Sequence, residues 1–135
     1  MLTALLLALE RARDGFSGRP TMMILFGIPA CDSVKKARTW LDQRALAYQF
    51  HDYKKAGVPE DLLDRWLAEL GWDAVINTRG TSWRALPQSE RLAMDNAAAR
   101  RAVLINPSLI KRPILVSDTQ TWVGFEPDRW LREVK

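Results

Sequence analysis

The chain is poor in the residues that most often announce a chemistry. It holds one cysteine, Cys31, and one histidine, His51. A single cysteine cannot form an intramolecular disulfide, and the two residues together cannot make a Cys/His zinc site, so no metal is expected. The scarcity of cysteine fits a reducing compartment, and a cytoplasmic location is the expectation. Long apolar runs are lacking too. The leucine-rich stretch LTALLLALERAR near the start is too short to cross a bilayer and has no basic segment ahead of it, as a secretory signal would. No membrane association is expected. Charge of one sign is only slightly in excess: twenty Lys and Arg against sixteen Asp and Glu give +4. Those cations are scattered among acids instead of forming a basic stripe, which argues against direct nucleic-acid binding and suits an anionic small molecule.

What is present is ordinary material for a globular domain. With 47% apolar residues, 135 residues are enough to bury one core without staples. Residues 1–22 read as an N-terminal extension, either disordered or the product of a start assigned too early, since Met22 and Met23 stand directly before the first convincing strand. Residues 23–135 form the domain. MILFG is a short apolar run closed by Gly27 and reads as a buried strand. A helix from about Cys31 to Arg44 follows, with Val34, Ala37, Trp40 and Leu41 on one face. YQFHDY alternates as a second strand, with His51 as one of its residues. A strand, a crossover helix and a strand imply parallel pairing. VPEDLLDRWLAELG is a helix opened by Pro59 and closed by Gly71, with Leu62, Leu63, Trp66, Leu67 and Leu70 as its stripe. QSERLAMDNAAARRAVLIN reads as one further helix with Ser89 as its N-cap. ILVS and TWVGF flank a short turn as an antiparallel hairpin, and Pro127 begins a last helix. The order is β-α-β, a helical insertion at about 58–110, then β-β-α. This describes an α/β protein with a four-stranded mixed sheet.

The chemistry concentrates at Cys31, where the first strand ends and the first helix begins. A thiol reacts as its thiolate, and a free cysteine of pKa ~8.5 is only about 3% ionised at pH 7. The amides and dipole of a helix N-terminus stabilise a negative charge placed there. Lys35, Lys36 and Arg38 occupy the first half of the same helix, the wrong end for helix stability but a useful one for holding an anion. Cys31 therefore reads as a nucleophile, with Lys35 and Lys36 as substrate-binding residues. The competing reading is a small buried hydrophobe.

Three stretches in order, LFGIPACDSVKKARTWL, NTRGTSW and IKRPILV, together resemble the arsenate reductase (ArsC)-like family of thioredoxin-fold proteins. The nearest likeness is to its YffB group of thiol reductases, which is also kin to Spx regulators, and it covers about Met23 to Lys135. The resemblance implies a thioredoxin-like sheet and a catalytic Cys31. It implies that Arg79 and Arg112 approach the cysteine as catalytic arginines and bind an oxyanion, and that Pro113 is a cis-proline beside it. A guanidinium fork suits arsenate, a carboxylate such as glutathione's, or a developing thiolate. Arg84 matches no required position and reads as a surface residue. Two departures stand out. Glutathione-coupled arsenate reductases have a histidine four residues before the cysteine, where Gly27 stands here, and a third arginine near the hairpin end, where this chain reads VGFEP. Spx-like regulators have a second cysteine three residues after the first, where this chain has Val34. The expected function is a monothiol reductase without a bound cofactor: Cys31 attacks an oxidised thiol substrate, and glutathione or a glutaredoxin-type reductant resolves the adduct. A monomer is expected. The alternatives are an Spx-like regulatory protein that binds RNA polymerase, or an arsenate reductase.

Overall fold

A computed structural model describes residues 22–134, so the reading of an N-terminal extension falls outside the described residues except at Met22. In chain order the elements are β1 (Ile24–Gly27), α1 (Asp32–Gln43), β2 (Gln49–Asp52), α2 (Tyr53–Ala56), α3 (Glu60–Leu70), α4 (Trp72–Val75), α5 (Thr81–Arg84), α6 (Gln88–Leu92), α7 (Asn96–Ile105), a 3-10 turn at Pro107–Leu109, β3 (Ile114–Val116), β4 (Thr121–Val123) and α8 (Pro127–Glu133). They divide into two units. One is formed by the described residues up to Asp52 together with those from Arg112 onward, the other by Tyr53–Lys111.

The first unit is the sheet. Its order is β2-β1-β3-β4, with β1 parallel to β2 and antiparallel to β3, and β3 antiparallel to β4. This is the four-stranded mixed sheet of the thioredoxin-like fold. The two central strands are apolar on both faces because both faces are covered: Ile24, Leu25, Ile114 and Leu115 are all buried. On one face, α1 contributes Ala37, Trp40 and Leu41, and α8 contributes Trp130, to a cluster around Leu25, Leu115 and Trp122. Trp130 meets Trp40 and Phe125 edge-on at 5.6 and 4.9 Å between ring centroids. Such aromatic contacts contribute about 0.5–1.5 kcal/mol each beyond the area they bury. The hairpin turn after β3 is fixed by Ser117, whose hydroxyl accepts from the amides of Thr119 and Gln120 at 3.2 and 3.0 Å.

The second unit is helical, and it departs from the sequence reading at three places. The insertion starts at Tyr53 instead of 58, because Tyr53 begins α2 where YQFHDY promised one more strand residue. Leu70 does not join the apolar stripe of α3; it sits in the helix's last turn and is 37% exposed, whereas Leu62, Leu63, Trp66 and Leu67 are buried. The helix expected over 88–106 is broken into α6 and α7. Asp95 is the cause: its backbone is extended, its carboxylate accepts from the Ala98 amide at 2.8 Å, and it starts a new helix as N-cap. Ser89 lies inside α6, whose N-cap position is Pro87. Asn96, the first residue of α7, ties the unit together: its side chain donates to the Leu67 carbonyl and accepts from the Trp72 amide, both at 3.0 Å. Arg100 on the same helix reaches Asp64 at 2.6 Å and Glu60 at 3.1 Å on α3. Among the described residues, no helix is long and apolar enough to cross a membrane.

Candidate active site

β1 ends at Gly27 for a steric reason. A Cβ built there would lie 2.6 Å from the Cγ2 of Val34, so only glycine lets the first turn of α1 settle onto the strand end. The chain then turns through Ile28–Ala30, and the Cys31 amide donates to the Ile28 carbonyl at 3.0 Å. Cys31 is the N-cap of α1, with extended backbone angles (φ −72°, ψ 129°), and its carbonyl accepts from the Lys35 amide at 3.0 Å. Its side chain is half-exposed, able to meet a partner from solution.

The electrostatics of this position set the state of the sulfur. Burial alone pushes the Cys31 thiol up. Against it act the Val34 amide, a hydrogen bond from the Arg112 side chain, the positive charge of that side chain and the Ser33 amide, and the outcome is a thiol below its ordinary value. The sulfur closes no formal side-chain cap bond, yet Ser33 and Val34 stand close enough at the helix start to favour its anion. Arg112 reaches the cysteine from the segment that leads into β3. Pro113 alone separates it from that strand, and the Arg112–Pro113 peptide is cis, as the resemblance implies. Pro113 is buried, and its carbonyl accepts from the Gly124 amide at 2.7 Å, which ties the end of β4 to the same spot.

The structure thus brings Cys31, Arg112 and Pro113 together within the sheet unit. Lys35 and Lys36 stand exposed one turn into α1; Lys36 is 3.7 Å from the Asp32 carboxylate, and both line a groove against Phe125 and Pro127. Arg38 turns away from the helix start: its Nε donates to the Tyr48 hydroxyl at 3.3 Å and its guanidinium lies 4.3 Å over the Phe50 ring. Arg79 belongs to the helical unit. There Asn77 holds a tight turn, accepting the Arg79 amide on its side chain at 3.2 Å and the Gly80 amide on its carbonyl at 3.1 Å, and Arg79 is exposed at the tip. Arg84 is exposed on α5. His51 is buried on β2, its ring 5.0 Å from that of Phe26. Among the described residues, no three His, Cys, Asp or Glu side chains gather as metal ligands.

The sequence reading invokes the amides of the helix N-terminus without naming them. Ser33 and Val34 are recoverable from spacing, since they are the second and third residues after an N-cap and such residues donate to it. Phe125 stands at the hairpin end in the sequence reading too, but nothing in the sequence signals that it lines a groove with Lys35 and Lys36.

Comparison with known proteins agrees with this fold. A YffB protein of known structure is 46% identical and superposes with a TM-score of 0.79, over 84% of this chain and 99% of its own. An arsenate reductase (ArsC) related protein from Brucella melitensis is 40% identical with a TM-score of 0.71, over 90% of this chain and 99% of its own. The global transcriptional regulator Spx of Streptococcus mutans is 30% identical over 112 residues, 79% of each chain. The model of the ArsC family matches residues 26–132, from the end of β1 through most of α8, and the chain is a member of that family.

Proposed function

We propose that the protein is a glutathione-dependent thiol/disulfide reductase that works with a single activated cysteine. The observation that carries this reading is the Arg112 guanidinium held beside an N-cap cysteine whose thiol lies below its ordinary value. In the first step the Cys31 thiolate attacks one sulfur of an oxidised thiol substrate. A new disulfide forms to Cys31, the old one breaks, and the departing thiolate takes up a proton from water. One cysteine cannot resolve this adduct internally, so an external thiol must. One glutathione attacks the Cys31 sulfur of the mixed disulfide, the second substrate thiolate leaves and takes up a proton, and Cys31 is left joined to glutathione. A second glutathione attacks that bond at the glutathione sulfur, oxidised glutathione forms, and Cys31 returns as a thiolate. Arg112, and Arg79 on the helical unit, are the groups assigned to the glutathione carboxylates and the developing thiolate. The expected setting is the cytoplasm, without bound cofactor.

Incubation with oxidised glutathione followed by mass measurement tests this directly. One glutathionyl group should add, at Cys31, faster than to free cysteine. Arg112→Ala should slow the addition about tenfold, the size of one lost charge-assisted hydrogen bond. Arg79→Ala should also slow it, whereas Arg84→Ala, which removes the same charge from a surface position, should not. Addition no faster than to free cysteine overturns the reading. Arsenate should be a poor substrate, because Gly27 stands where the glutathione-coupled reductases have a histidine, and VGFEP holds no arginine where they have a third one near the hairpin end. Reduction at the rate of an arsenate reductase assayed alongside would contradict that expectation.

The likeness to Spx supports a second reading, a regulatory protein that binds RNA polymerase. A binding module has no use for an activated thiol, so the alkylation rate of Cys31 separates the two. Capture of polymerase subunits by the Cys31→Ser protein would favour the second.

A further inference from the structure

Starting at Lys35, one helical turn after Cys31, a groove of about 400 Å³ runs along α1, contained wholly in the sheet unit and lined by Lys35, Lys36, Trp40, Gln43, Phe125 and Pro127 among others. Its floor is apolar, and the Phe125 ring stands 6.5 Å from that of Trp40, edge to face. Its rim is cationic. Lys36 shares its charge with Asp32 across 3.7 Å, while Lys35 forms no ion pair among the described residues. Two backbone hydrogen bonds fix its lining relative to the reactive centre. The Lys35 amide is bonded to the Cys31 carbonyl, and Gly124, next to Phe125, is bonded to the Pro113 carbonyl. An apolar floor and a basic rim, starting one helical turn from a nucleophilic sulfur, do not suit a small oxyanion. They suit a chain that leaves an oxidised sulfur with an apolar side chain followed by carboxylates.

We propose that this groove is a substrate subsite that seats the acidic, apolar polypeptide segment flanking the oxidised cysteine of a protein substrate. The proposal rests on the reductase reading and names its substrate class: protein disulfides with acidic flanks, ahead of small disulfides. The Cys31 thiolate attacks the substrate cysteine sulfur, a Cys31–peptide disulfide forms, and the electron pair of the broken bond leaves on the former partner thiolate.

The test uses two synthetic peptides, each carrying one cysteine as its mixed disulfide with thionitrobenzoate, whose release is followed by absorbance. One has leucine and glutamates after the cysteine, the other serine and lysines. The full-length protein should react with the acidic peptide about tenfold faster, the discrimination expected when two exposed ion pairs, to Lys35 and Lys36, form together. That ratio should shrink with added salt. Lys35→Glu should bring the ratio to about one or invert it; because the readout is a ratio between peptides, any general loss of activity cancels. Phe125→Ser should reduce it as well, and Phe125→Leu, which keeps the apolar floor, should restore it. Equal rates with both peptides in the wild type, or an unchanged ratio in Lys35→Glu, overturns the subsite while leaving the reductase standing. If Cys31 reacts with neither peptide faster than free cysteine does, the reductase reading fails. Binding of the acidic peptide with serine in place of its cysteine, read as chemical-shift changes at Lys35 and Phe125, then decides the groove by itself: changes there uphold it, and their absence overturns it.

Discussion

Cys31 sits under opposing influences, and the pH at which it ionises reports which prevails. Desolvation favours the neutral thiol, while the Val34 and Ser33 amides and the Arg112 charge favour the thiolate and prevail. Alkylation followed against pH should therefore show a midpoint below that of free cysteine, and Arg112→Ala should move it upward, because that change removes both a hydrogen bond and a charge. The same shift links to stability with a definite sign. A thiol whose folded pKa is depressed adds stability that is fully present above its unfolded value of ~8.5 and is lost as the pH falls through the folded value. The stability difference between wild type and Cys31→Ser should accordingly grow with pH across that window and level off above it. A difference independent of pH would contradict the assignment. A second residue-scale result concerns the two departures from related proteins, Gly27 and Val34, which turn out to be one feature. A Cβ at position 27 meets the Val34 side chain at 2.6 Å, and Val34 is wholly buried. Gly27→Ala should cost about 1–3 kcal/mol by overpacking. Gly27→Ala combined with Val34→Ala should cost less than the two single changes added together, because the smaller side chain makes room for the new methyl. Additive costs in urea unfolding would show that the two positions do not meet.

The elements that carry the site were largely legible, and the reasons are local. MILFG and ILV are continuous apolar runs because β1 and β3 are covered on both faces, and that composition is visible without a structure. The start of α1 was legible because Pro29 and a run of helix formers bracket Cys31. Cys31 and Arg112 could be named because each stands at a recognisable junction: a strand leading into a helix, and an arginine-proline leading into a strand. What escaped the sequence were contests between neighbouring caps and turns. Asp95 captures the Ala98 amide and divides a stretch whose composition is helical throughout, and nothing in periodicity says whether an internal aspartate will cap or stay helical. Arg38 looked like a member of the anion-holding group, and only the fold of β2 shows it engaged with Tyr48 and Phe50. The end of α1 yields a prediction at this scale. Ala45 has φ of 54°, and the Ala45 and Leu46 amides close the helix onto the Asp42 and Leu41 carbonyls, a left-handed position that usually belongs to glycine. Ala45→Gly should raise stability by about 0.5–1 kcal/mol, the strain relieved less the added freedom of the unfolded chain. Thermal unfolding measures it, and a lower melting temperature would contradict it.

The molecule as a whole joins a sheet unit drawn from both ends of the described chain to a helical unit drawn from the middle, and their internal stabilities should differ in a measurable pattern. In the sheet unit, β1 and β3 are paired on both edges, and Leu25 and Leu115 are fully buried. Opening either strand breaks two ladders and exposes the core, so these amides should require the largest unfolding event to exchange. β2 and β4 form the two edges of the sheet and should open at lower cost. Within the helical unit the gradient follows burial. α3 buries four large side chains and is fastened through Asn96 and Arg100, whereas α6 buries none and exposes Leu92 at 80%. α6 should therefore exchange by local fraying, with little dependence on denaturant, while α3 follows the cooperative opening of its unit. Amide hydrogen exchange read residue by residue should place Leu25 and Leu115 among the slowest sites and Gln88–Leu92 among the fastest. Protection of α6 equal to that of β1 would mean that its exposed apolar side is covered in solution. The Cys31 amide bears on function most directly. It is bonded to Ile28 at the seam between the slowest strand and α1, so its protection should follow β1. Slow exchange there would mean that the Cys31 sulfur is held at a fixed distance from Arg112, as the proposed reductase requires of a preorganised site; exchange as fast as that of α6 would contradict it.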